Sequence, residues 1–120
     1  MLKILVNEQG QLLIEDKLAP VTQVRPEVQK HVTNFGADPN YSTSPNAAVI
    51  SIKTAAQTPY RAYIDVLDET WMAYFEIWDS EARSLGYADY KTYTANLTEG
   101  ENLVREKFPA AISIAEPDEQ

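Results

Sequence analysis

Residues 47–86 read AAVISIKTAAQTPYRAYIDVLDETWMAYFEIWDSEARSLG, and a change of apolar period inside this stretch decides the fold. Ala47 to Thr54 is rich in β-branched residues and nearly continuous in apolarity before Lys53, the pattern of a strand in the interior of a sheet. Tyr60, Ile64, Leu67, Trp71, Tyr74, Trp78, Ala82 and Leu85 then recur at spacings of three and four, the period of one helical face. Thr58 stands where a helix cap belongs, Pro59 suits the first helical position, and Gly86 supplies a stop. The expected helix has about 27 residues and a length of roughly 40 Å. That overshoots a small sheet, so its second half must pack on something else.

Upstream, Leu2 to Val6 and Leu12 to Ile14 are short apolar runs joined through Asn7-Glu8-Gln9-Gly10, a β-hairpin in which Gly10 can take positive φ. Val24, Val28, Val32 and Phe35 share one helical face, with Thr22 as N-cap, Pro26 in the first turn and Gly36 past the end. The stretch from Ala37 to Asn46 is dense in Pro, Asn, Ser and Asp and reads as a loop. Downstream, Tyr87 to Asn96 reads as an irregular connection bearing tyrosines. Thr98 and Glu101 then have capping-box spacing before a short helix with Leu103, Val104 and Phe108, which Pro109 ends. Ala110 to Ala115 is a last strand, and residues 116–120 form an acidic tail.

The order β-β-α-β-α-α-β predicts an α+β fold with a mixed four-stranded sheet and helices packed on one face. The strand at 47–54, the long helix and the strand at 110–115 form a right-handed parallel crossover. A length of 120 residues with 44% hydrophobic and 23% charged residues fits a single domain with one core.

Composition removes several classes of function. The net charge of −8 argues against nucleic acid as a partner, because that affinity rests on Lys and Arg neutralising phosphates. It suits a basic or neutral protein surface, and it serves plain solubility equally well. Without cysteine there is no disulfide framework, thiolate metal site or thiol nucleophile. The opening Met1 to Val6 is too short for a signal peptide, and no apolar run of about 20 residues is present to span a membrane.

Catalytic groups do not converge in the sequence. The single histidine, His31, reads as an ordinary surface or boundary residue. Asp65 with Asp68 or Glu69, and Glu76 with Asp79, sit one helical turn apart and could share a metal or divide acid and base roles, but they lie off the apolar stripe and read as a solvated face. Trp71, Tyr74, Phe75 and Trp78 could line a sugar platform, although at helical spacing such residues are more often core or dimer contacts. Four scattered glycines make no phosphate-cradling loop. Catalytic and metal-ligating residues are therefore expected to be absent, with no cofactor.

The segments AAVISIKTAAQTPYRAYIDVLDETWMAYFEIWD (47–79), KFPAAISIAEPDE (107–119) and KILVNEQGQLLIEDKLAPVTQV (3–24) together resemble the periplasmic domain of the ExbD/TolR biopolymer-transport family, in the ExbD-type branch found in Bacteroidetes. The most specific pieces are Thr58-Pro59-Tyr60 with Tyr63-Ile64-Asp65-Val66, and Ile112 to Pro117. Ala55-Ala56-Gln57 departs from the Asp-Arg-Gly turn of many relatives, and the segment between Gly86 and Pro109 is longer than in the shorter members.

This resemblance implies a non-enzymatic domain of an energy-transduction complex that uses proton-motive force to support transport across the outer membrane. It implies a single-pass inner-membrane protein of a Gram-negative bacterium, with this domain in the periplasm and a transmembrane helix carrying a proton-binding Asp upstream of Met1. The implied partners are an ExbB-type channel subunit, a TonB-type protein and a second copy of the chain. Partner contacts are expected at Ile112, Ser113 and Ile114, as strand pairing on an edge, and at Tyr60 and Tyr63. The other readings are a TolR-like module that grips the cell wall, and a small carbohydrate-binding or hydrolytic domain using the surface from Trp71 to Asp79.

Overall fold

A computed structural model of the chain describes residues 1–97 and 102–115. The elements run β1 (Leu2–Val6), β2 (Leu12–Ile14), β3 (Lys17–Ala19), α1 (Val24–Val32), β4 (Ile50–Thr54), α2 (Tyr60–Ser84), α3 (Tyr90–Ala95), α4 (Leu103–Lys107) and β5 (Ile112–Ala115). The class is α+β. Among the described residues the sheet has five strands and not four, in the spatial order β3-β2-β1-β4-β5. β1 pairs antiparallel with β2 and parallel with β4, and β4 pairs parallel with β5, so the sheet is mixed.

The extra strand comes from a hairpin that the sequence conceals. Ile14 and Lys17 face each other across Glu15-Asp16, both in the left-handed region at φ 50° and 68°. That is the backbone of a two-residue primed turn, which normally carries Asn or Gly. Here the strain is offset by Lys3, whose backbone N–H donates to Glu15 Oε1 at 2.8 Å and whose C=O accepts from Glu15 N at 3.0 Å.

Leu2, Ile4, Val6, Leu12, Ile14, Ile50 and Ile52 alternate along their strands and are all buried, while their neighbours Lys3, Leu5, Leu13, Ser51 and Lys53 are partly or fully exposed. One face of the sheet therefore carries the helices. Val24, Val28 and Val32 of α1 and Val66, Ala73 and Tyr74 of α2 close over it.

At its start, α2 departs from the expected capping. Thr58 does not cap the helix; its hydroxyl donates to Val6 O at 2.9 Å and Asn7 O at 3.3 Å, fastening the end of β1. Thr22 does not cap α1 either. Val21–Gln23 form a 3-10 turn that runs straight into α1, so the residue before the helix is already helical and has no extended backbone to aim a cap. α1 stops at Val32, and Phe35 falls outside it with φ 49°, its ring edge-on to Phe108 at 6.1 Å. Residues 45–47 form a 3-10 turn, so β4 starts at Ile50 rather than Ala47, and β5 likewise starts at Ile112.

The second half of α2 meets the segment that the sequence leaves irregular. Tyr90–Ala95 is a helix because Asp89 accepts from Thr92 N at 2.7 Å while Asp79 of α2 accepts from Tyr90 N at 2.9 Å. The expected cap pair Thr98 and Glu101 lies outside the described residues, as does the acidic tail. In its place Asn102 caps α4 by accepting from Arg105 N at 3.1 Å.

Gly10 closes the β1–β2 turn at φ 79°, and a Cβ there would stand 3.6 Å from Ala62 Cβ and Pro59 Cγ, an ordinary contact. Gly10→Ala is therefore expected to cost about 1–2 kcal/mol through backbone strain alone. A urea melt of the variant reads it, and an unchanged midpoint would show that the turn relaxes freely.

Candidate protein-binding edge

Four carboxylates of α2, Glu69, Glu76, Asp79 and Glu81, tie it to other helices. Arg25 of α1 reaches Glu69 at 2.8 Å and Glu76 at 2.8 Å, and the Glu69 bond is the main reason its guanidinium pKa rises. Asp65 pairs with Arg61 at 3.2 Å, Glu81 with Lys107 at 3.1 Å, and Asp79 holds α3. Among the described residues no three His, Asp or Glu groups come together so as to hold a metal ion.

The aromatic run on α2 divides in two. Tyr74 and Trp78 are buried, with Trp78 Nε1 donating to Phe108 O at 2.8 Å and Tyr74 OH accepting from Ala111 N at 3.3 Å. Burial also pushes the Tyr74 phenol up from its ordinary pKa. Trp71 is half-buried and stacks at 6.0 Å on Phe75, which is exposed. Only the Trp71–Phe75 pair is thus open at the surface, and the four rings form no common platform.

The bond from Tyr74 to Ala111 sets the approach to β5, and here the two edges of the sheet differ. β3 has three residues, begins at exposed Lys17 and is followed at once by Pro20, features that blunt an edge. β5 reads Ile112-Ser-Ile-Ala115, with neither charge nor proline, and among the described residues no strand lies on its outer side. Ile50 N donates to Ala111 O at 2.8 Å, which sets the phase of the parallel ladder. In that phase Ser113 turns its backbone groups toward β4, and Ile112 and Ile114 turn theirs outward.

The side chains of β5 follow the register. Ile112 lies beside Ile50 and Ile114 beside Ile52, on the helix-bearing face. Ile50 and Ile52 are fully buried, yet Ile114 is 54% exposed. The helical layer therefore stops short of the edge and leaves an apolar ledge along it.

Tyr60 and Tyr63 sit elsewhere. Tyr60 is 76% exposed with its ring 6.4 Å from that of half-buried Tyr63, and the adjoining Pro59 and Ala62 pack on the β1–β2 turn at Gly10. Tyr74, the residue of α2 that meets the approach to β5, lies about 21 Å farther along the helix.

His31 is the residue that sequence reading misplaces. It is not on the surface or at a boundary: it is 2% exposed, and neither ring nitrogen has a hydrogen-bond partner among the described residues. Its spacing from Val28 and Val24 on the buried face of α1 was the available signal.

No family model, curated protein or solved structure matches this chain.

Proposed function

We propose that this chain is a non-enzymatic, protein-binding domain that accepts an extended segment of a partner at the β5 edge. In keeping with the sequence resemblance, we place it in the periplasm as part of an inner-membrane complex of the ExbB–ExbD–TonB type, driven by proton-motive force. The observation that carries the reading is the outer side of β5, where outward backbone groups of Ile112 and Ile114 run beside an apolar ledge. An incoming strand gains main-chain hydrogen bonds from the edge and covers Ile114 with its own side chains. Basic residues on that strand would suit a domain with a net charge of −8.

The test is titration of a TonB-type periplasmic segment into isotope-labelled domain. Amide shifts should concentrate at residues 112–115 and their β4 neighbours. Silence over the millimolar range, or shifts confined to Tyr60 and Tyr63, would refute the edge as the binding site. Retention by purified peptidoglycan without peptide binding would assign the cell-wall role in its place.

A further inference from the structure

His31 lies in the last turn of α1, and Tyr41 of the segment that follows the helix stands beside its ring. That segment folds back on itself and on α1. Asn34 Nδ2 donates to Asp38 O and Ser42 O, Gly36 N donates to Ser42 O, and the Ser42 hydroxyl donates to His31 O. The Tyr41 ring is tilted 55° against the imidazole at 6.2 Å between centroids, with its hydroxyl donating to Glu27 Oε2 at 3.0 Å and Lys30 Nζ standing 4.5 Å from its ring. Beside this cover is a cavity of about 550 Å³ to which His31 and Tyr41 both contribute.

Acidic and basic groups both border the cavity. Glu15 and Lys17 face it from the β2–β3 hairpin, Glu27 and Lys30 from α1, and Asp38 from the covering segment. The three acids outnumber the two lysines and favour imidazolium, so what opposes the cation is the burial of the ring itself. Burial is the largest influence on the ring and lowers its pKa from the ordinary 6.5, with Glu15 pulling the other way. A buried imidazole with both nitrogens unpartnered is tolerable only while neutral, because the cation needs two acceptors or water.

We propose that His31 and the segment 34–44 form an acid-sensitive latch, in which protonation of the imidazole lifts the segment from the end of α1. This goes beyond the partner-binding reading and does not rest on it. The closed form binds the proton less readily than the opened form. Closure is therefore fully favoured above about pH 6.5 and is lost as the pH falls from there through the depressed closed-state value, at up to about tenfold per pH unit in the opening equilibrium.

Because the chain has one histidine, its NMR titration reads this group without ambiguity. The expected result is a midpoint below 6.5, with the amides of 34–44 losing exchange protection over the same range while those of Val66 and Ala73 stay protected. His31→Phe and His31→Leu should each keep the segment protected from about pH 7.5 to about pH 5.5, once intrinsic exchange is allowed for. A midpoint at or above 6.5, loss of protection across the whole domain together, or acid opening that survives in a folded variant would each overturn the latch. The wild-type titration decides even if neither variant folds.

Discussion

Trp78→Ala is expected to lower the unfolding free energy by about 3–5 kcal/mol, a large part of the roughly 5–15 kcal/mol that holds a domain together. The indole, carried by α2, meets residues of α3 and α4 as well. Its ring lies 5.8 Å from Tyr74 on α2 and 5.2 Å from Tyr90 on α3, Arg105 of α4 stands 4.5 Å from its centre, and its N–H is spent on Phe108 O. Truncation removes those contacts and leaves a buried carbonyl without its donor. Trp78→Phe keeps most of the packing and loses the hydrogen bond, so it should cost less, about 1–3 kcal/mol. Urea melts followed by circular dichroism measure both. A loss below about 1 kcal/mol for the alanine variant would mean that α3 and α4 are not fastened through this ring.

Ile114→Pro should weaken binding of the TonB-type segment by about tenfold or more, because it deletes an outward N–H and places a ring where the added strand must pass. The same substitution should leave the unfolding free energy from a urea melt within about 0.5 kcal/mol of the parent, since the backbone groups of Ile114 do not pair with β4. Ser113→Pro provides the contrast: it strikes the inward-facing position, so stability should fall. Equal binding by Ile114→Pro and the parent would remove β5 from the interface, whatever the partner.

Those two residues also show what the sequence could and could not carry. Alternation and period located β1, β2, β4, α2 and β5, because each has enough apolar residues to display its repeat. The long rod of α2 was legible from Tyr60 to Leu85 and ends at Ser84. β3 was hidden because Lys17-Leu-Ala19 is too short for a period and its turn is built from Glu15 and Asp16. α3 was hidden for a related reason: six residues cannot show a helical repeat, and half of its capping comes from Asp79 on another element. Capping by Thr58 failed because its hydroxyl bonds the end of β1, and capping by Thr22 failed because the turn leading into α1 is already helical.

The candidate site was legible only in part. Ile112, Ser113 and Ile114 could be named from the sequence, but which of them faces outward depends on the ladder phase set by Ile50 and Ala111. Tyr60 and Tyr63 had no spatial relation to β5 that spacing could reveal. His31 shares the buried face of α1 with Val24 and Val28, but Tyr41 reaches its ring only because residues 34–44 fold back on the helix through Asn34 and Ser42.

A sheet with one rim shut by Lys17 and Pro20 and the other open at Ile112–Ala115 has a valence of one. Under the proposed strand addition each molecule would gain a single neighbour, and two copies joined at their open rims would use up both, so growth would stop at a pair or at one captured segment.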